Sequence, residues 1–527
     1  MPRLPPAITL WLTLCLTGHA LAEEKPVSFI HDIMPRLMKA GCAGGNCHAK
    51  PEGQNNFKLS VFGYDPAHDY HEIVRDARGR RVFMAAPEES LLLRKATGQM
   101  PHEGGARIEK GGPAWNLLVT WIKQGAPFAL EGEPALSRVT VQPQEGTYAK
   151  GAAQQLTVTA SYSDGTTRDV TSLTDYLSQD KELAEVDDHG LVKTGAISGE
   201  GVIVARFMGH VDVARFTLPS DKKLPAEIYA KLPVNNEIDR LVHTRHQKLG
   251  LLPSGLCTDE EFLRRASLDL IGKLPSAELA RRYLADTRPG KRARLVDELL
   301  EDPNYADHWA VKWGDLIRPN PSRVGVKPVY LLDSWLRESF RQNKPYDRMI
   351  AELLTAQGST HQHGPVAVFR DKRDRADMGA FVSQIFLGVR LDCAKCHHHP
   401  SEKWTQDDYY QLAAFFGRMK RRGQAISAPI SGEVEYWWHG GTGSVSHPVT
   451  EAVMTPKPPD GPKMPYVEGQ DPRARLADWM RASDNPFFAK ALVNRIWSDF
   501  LGCGIVEPVD DFRVSNPPTN PALLDWL

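Results

Sequence analysis

The hydrophobic period of this chain changes partway along its length, and that change rules out a single fold. Between Leu136 and Leu218 apolar residues alternate with polar ones, with Val139, Val141, Leu156, Val158 and Ala160 on the apolar side. Alternation of this kind belongs to half-buried strands. Tyr162-Ser163-Asp164-Gly165-Thr166 separates two such runs as a hairpin turn, because glycine supplies the positive φ. Gly201–Phe207 and Val211–Phe216 read as a strand pair. Regular turns between short strands predict a β-sandwich over 135–219.

On both sides of that segment the pattern is helical. Phe29–Met38 predicts a short amphipathic helix, and Ala114–Gln124 a second one with Trp115, Leu118 and Ile122 on one face, stopped by Gly125. These bound a helical domain over 25–130. After a linker, short helices continue through 230–420. Thr258 and Glu261 form a capping box before FLRRASLDLIG, and Met378–Val389 reads as a nearly continuous apolar helix. Residues 421–470 are rich in Gly and Pro and predict a loop and small-sheet insertion. Helix returns over 471–527, where the sequence stops inside an apolar-polar pattern and reads as a truncated domain. The fold class is therefore multidomain and mainly α, with one all-β sandwich. A chain of 527 residues accommodates about three or four domains.

The first residues, MPRLPPAITLWLTLCLTGHALAEE, carry a thin positive start, a short apolar run and the small-x-small pattern Ala20-Leu21-Ala22. Residues 1–22 read as a secretory signal peptide, too short to span a bilayer. An uncut anchor and a lipoprotein at Cys15 are the competing readings. No later segment is apolar enough to cross a membrane. The formal net charge of −1 gives no basic surplus for nucleic acid. The expected location is outside the cytoplasm, periplasmic or at the cell surface.

Of seven cysteines, Cys15 leaves with the signal. Four of the others form two local pairs, each followed at once by histidine. Cys393-Ala394-Lys395-Cys396-His397 has the spacing for covalent haem c: two thiols meet the two vinyl groups and the histidine ligates iron. Cys42 and Cys47 are more widely spaced, with Ala43, Gly44, Gly45 and Asn46 between them and His48 after. The two glycines allow the surplus to loop out. A loop methionine, Met100, pinned by Pro101, is placed to supply a sixth ligand; His31, His71 and His102 compete with it. At the second pair Met378, Met419, His361, His363 and His399 compete. Each pair also fits a disulfide, a redox dithiol or a structural zinc knuckle, with His398 or His399 as a fourth ligand at the second.

The strand region resembles the bacterial Ig-like group-two domain on SYSDGTTRDVT, AEVDDHGLVKT and GEGVIVARFMG. The whole chain resembles planctomycete cytochrome c-like proteins. The matching motifs are GCAGGNCHAK with GQMPHEGG, then FLRRASLDLIGKLPS, HWAVKWGDLIR and NKPYDRMIAELL. LDCAKCHHHPSEKWTQDDYYQLAAFFGRM, NPFFAKALVNRIWSDFLGCGIVEPVDDFR and SNPPTNPALLDWL follow in the same order. The resemblance implies a cytochrome c-like domain over 25–130, with haem at Cys42, Cys47 and His48 and Met100 as sixth ligand. It implies a second haem at Cys393, Cys396 and His397. It implies no settled reaction.

Three functions follow as expectations. The first is an exported dihaem electron carrier with a redox partner protein. The second is a haem-dependent, peroxidase-like oxidoreductase. The third is a cell-surface polysaccharide-binding protein with structural zinc or disulfides, using the aromatic run Tyr436-Trp437-Trp438-His439. Asp407 and Asp408 read as part of a helix cap with Thr405 rather than acid-base catalysts. Asp510-Asp511 reads as a solvated turn, and Trp309 and Trp313 as core.

Overall fold

The computed structural model describes residues 25–50, 53–222, 224–399, 402–423 and 433–527. The expected signal peptide lies outside the described residues. Among them no helix is long and apolar enough to cross a membrane.

Residues 25–130 form a small helical unit. A π-turn, Phe29–Ile33, runs directly into the helix Met34–Lys39, and the helix Pro113–Lys123 packs across them. Its core joins the two ends of the unit: Phe29 meets Trp121 at 5.7 Å and Tyr70 at 5.4 Å between ring centres. Leu118 and Ile122 are fully buried, as the helical spacing predicts, while Trp115 is only half-buried.

The period-two region is a sandwich. Strand Gly199–Phe207 pairs antiparallel with His210–Leu218 and with Asp175–Ser178, and Glu145–Thr147 adds in parallel to His210–Leu218. Facing it, Leu136–Gln142 pairs with Thr157–Tyr162, and that strand with Thr167–Asp169 through the Gly165 turn. Val139, Val141, Val158, Ala160, Ile203, Ala214 and Phe216 fill the space between, each from the inward side of its strand.

Most of the remaining helices pack around one large core, while helices Asp259–Ile271, Ala277–Ala285 and Lys291–Leu300 enclose a smaller one of their own. Pro303–Ile317 packs on Val326–Arg341, Arg375–Val382 on Gln406–Ala413, and Tyr346–Thr355 on Pro472–Arg481. Trp309 and Trp313 are buried in it, as expected, and so are Met378 and Met419. The apolar run Met378–Val389 is not one continuous helix: an α-helix to Val382 passes into a π-turn, Ser383–Leu387, and Gly388 at φ +69° stops it. The final helix, Pro521–Trp526, does find a partner: Leu523 and Leu524 are buried against Ile505 and Val506, with Ile238 and Leu241 alongside. In the region 421–470, Tyr436–His439 pairs with Met419–Arg422 and Gly358–Ser359 in a small sheet.

Candidate functional site

The first Cys-His motif sits on a loop closed by its own backbone. His48 N–H donates to Cys42 O (3.1 Å) and Cys47 N–H to Gly44 O (2.9 Å), so the surplus residues bulge outward and return His48 beside Cys42. Cys42 and Cys47 are both free thiols. Burial pushes the Cys42 thiol up to about 11, with the neighbouring Cys47 adding to the shift. The Arg107 guanidinium lies 4.0 Å from Cys47 Sγ. His48 Nδ1 is 3.1 Å from Phe57 O. A carbonyl only accepts, so Nδ1 carries the hydrogen and Nε2 keeps its lone pair. Burial holds the His48 imidazole below its ordinary pKa, which keeps that lone pair available.

The second motif follows Leu391, which is buried, on a single 3-10 turn, Asp392–Lys395. Ala394 anchors the turn in the core while Cys393 and Cys396 are exposed free thiols. Polar ties fix the turn on several sides. Arg390 pairs with Asp510 at 2.5 Å, Lys395 with Asp377 at 2.6 Å, and Gln406 Nε2 donates to Lys395 O at 2.9 Å. His397 Nδ1 lies 2.6 Å from His398 O, the same tautomer-fixing arrangement as at His48.

The segment 57–64 links the two motifs, far apart in sequence. The segment 57–64 wraps the first: Phe57 O receives the His48 ring, Leu59 N–H donates to His48 O (2.9 Å), and Phe62 N–H to Ala43 O (3.2 Å). Phe62 and Gly63 then both take positive φ, +54° and +70°. For Phe62 that is strained backbone of the kind held only by its surroundings. Here the Arg206 guanidinium of the sandwich covers the Phe62 ring at 3.5 Å. The turn delivers Tyr64 onto His398, ring centres 3.9 Å apart and planes 13° from parallel. Asp69, buried beneath the segment, accepts from Ser60 N–H (2.5 Å) and Ser60 Oγ (2.6 Å) and fixes its course.

The expected sixth ligands separate clearly. His31 Nε2 is bonded to Pro134 O (2.8 Å) and its ring abuts Tyr162, so it serves the contact with the sandwich. His71 is exposed. Met100 is half-buried, its N–H bonded to Arg94 O at 3.1 Å. The ring that faces His48 is that of His102, centres 6.2 Å apart. At the second motif Met378 and Met419 are committed to the core, and His363 Nδ1 is bonded to Gln357 O (2.8 Å). His398 faces Tyr64, and burial holds His399 down to about 4. Among the described residues no three His, Cys, Asp or Glu side chains converge as a metal site.

Thr405 and Asp408 do form the expected capping box. The solvated-turn reading of Asp510-Asp511 fails, because Asp510 is engaged by Arg390 and by Gln384 (2.7 Å), and Asp511 is buried. Tyr436 and Trp438 are exposed on the small sheet, whereas Trp437 is buried and donates to Glu435 (3.1 Å). Tyr64, Ser60, Asp69 and Arg107 were not legible as site residues. They carry no sequence motif, and their places beside the Cys-His loops come from tertiary packing.

The geometry can be set beside known families. No curated protein matches the chain. Three family models match parts of it. Residues 135–205 match the bacterial Ig-like domain (group 2). Residues 237–421 match PSCyt2, a protein of unknown function (DUF1549), and residues 472–527 match PSD1, a protein of unknown function (DUF1553).

Proposed function

We propose that the chain is an exported c-type electron carrier of the planctomycete cytochrome c-like kind, holding two covalent haems. Cys42, Cys47 and His48 hold the first and Cys393, Cys396 and His397 the second. The observation that carries this reading is shared by both motifs. Two free thiols stand in one short loop beside a histidine whose Nδ1 is bonded to a backbone carbonyl, leaving Nε2 as the ligand nitrogen. Bound haem supplies reversible one-electron chemistry at iron. The protein's own residues orient the two imidazoles, half-bury the first site and expose the thiols of the second. The 57–64 segment and the Tyr64–His398 stack join them, so an electron entering at one motif has a packed route to the other. The exposed thiol edge of the second motif is the face for an outside redox partner.

The test is a haem count by pyridine haemochrome on the full chain, exported from a host with c-type maturation. Two haems per chain support the reading, with one lost on Cys42→Ala/Cys47→Ala and the other on Cys393→Ala/Cys396→Ala. No covalent haem sinks it.

One observation favours a second reading, the peroxidase-like oxidoreductase. A cleft of about 500 Å³ lined by Arg318, Arg323, Asp371, Asp377 and Asp392 opens beside the second motif. Peroxide turnover that Cys393→Ala abolishes would move the function there.

A further inference from the structure

The geometry points to His102, not Met100, as the second axial ligand at the first site, giving it two imidazoles. This inference rests on the haem reading of Cys42, Cys47 and His48. The rings of His48 and His102 are 10° from parallel with centres 6.2 Å apart. The separation is wider than that of rings stacked in contact, as Tyr64 and His398 are at 3.9 Å. Two imidazoles ligating one metal through nitrogens about 2 Å from it place their ring centres roughly 6 Å apart.

The tautomers agree with this assignment. His102 Nδ1 is 2.8 Å from Gly105 O, so its hydrogen is on Nδ1 and the lone pair on Nε2, as in His48. A metal-bound histidine commonly donates its other N–H to a carbonyl, which fixes the ring and raises its basicity. The loop is shaped for the ring. A Cβ at Gly104 would stand 3.0 Å from His102 Cε1, so a side chain there would press on the imidazole. Pro101 O is held by Lys95 Nζ at 2.5 Å and Met100 N–H by Arg94 O, which fixes the chain immediately before His102. His31 is excluded because its Nε2 is bonded to Pro134 O.

The experiment uses the full haem-loaded chain carrying Cys393→Ala/Cys396→Ala, so that only the first haem is read. Electron paramagnetic resonance and near-infrared magnetic circular dichroism distinguish bis-imidazole from imidazole-thioether ligation. The expected result is a bis-imidazole signature that Met100→Leu leaves unchanged. His102→Ala converts the iron to high spin, and added imidazole restores low spin. A thioether band lost in Met100→Leu and kept in His102→Ala overturns the ligand assignment and leaves the haem reading standing. Absence of covalent haem in this chain overturns both. Should His102→Ala not fold, the Met100→Leu spectrum alone decides.

Discussion

Tyr64 and His398 stack with ring centres 3.9 Å apart, and that contact ties the segment wrapping the first Cys-His motif to the residue after the second. Tyr64 ends the segment that carries the His48 hydrogen-bond acceptor; His398 directly follows His397, and its carbonyl accepts from that ring. Aromatic pairs of this kind contribute about 0.5–1.5 kcal/mol beyond the area they bury. Burial holds His398 below its ordinary pKa, so the stacked ring is neutral at pH 7. On the proposed dihaem reading, Tyr64→Ala is expected to slow electron exchange between the haems after flash reduction, with haem content unchanged, and Tyr64→Phe to preserve it. Equal rates in Tyr64→Ala and the parent chain would remove Tyr64 from the route.

Asp69 makes the first domain sensitive to pH. Burial pushes its carboxyl up to about 7, against the stabilising hydrogen bonds from Ser60. The native chain thus holds a proton that the unfolded chain releases above its ordinary carboxylate pKa of about 4. Stability of this unit is expected to be full below about pH 4, to fall as pH rises toward about 7, and to stay level above that. Asp69→Asn carries no such proton and should flatten the melting temperature of the domain across that window. A slope that persists in Asp69→Asn assigns it to other groups.

The architecture was largely written in local pattern. Alternation at Val139, Val141, Val158 and Ala160 marked the sandwich, and the Thr258–Glu261 and Thr405–Asp408 boxes marked helix starts, because those signals act over a few residues. The apolar run Met378–Val389 looked like one helix because hydrophobicity alone does not register a π-turn. The candidate site was half legible. Cys and His spacing marked the two loops, but the partner of the His48 ring depends on how the 98–105 loop folds back, and sequence spacing favoured Met100. Tyr64 was invisible because its role depends on the positive-φ turn at Phe62 and on a surface contributed by a distant segment.

Arg473 ties the last matched segment to the helical core. It is fully buried, pairs with Asp471 at 2.6 Å and donates to Ala356 O (3.1 Å) and Thr355 O (3.4 Å) at the end of helix Tyr346–Thr355. Arg473→Met roughly keeps the volume but leaves the Asp471 carboxylate with the Arg473 backbone N–H in place of the guanidinium, and takes the donor from two carbonyls. Removing one partner of a buried pair costs about 3–5 kcal/mol. Urea unfolding should show a loss of that size; a loss below about 1 kcal/mol would mean that water or a neighbouring cation replaces the guanidinium.

The thiols give a chemical reading of the sites before any haem is attached. Thiolate is the reactive form, and both its population and its access set the rate of alkylation. Cys393 and Cys396 are exposed, whereas Cys42 is partly covered and burial raises its pKa to about 11. In chain made without haem attachment, iodoacetamide at pH 8 is expected to modify Cys393 and Cys396 first and Cys42 slowest. Raising the pH toward 11 should speed Cys42 disproportionately, since its thiolate fraction is still climbing there. The dihaem proposal expects all four to resist in chain exported through a c-type maturation host, because each sulfur would then be a thioether. Peptide mass mapping reads each cysteine separately. Full alkylation of Cys393 and Cys396 in matured chain, with Cys42 and Cys47 protected, would confine covalent haem to the first motif.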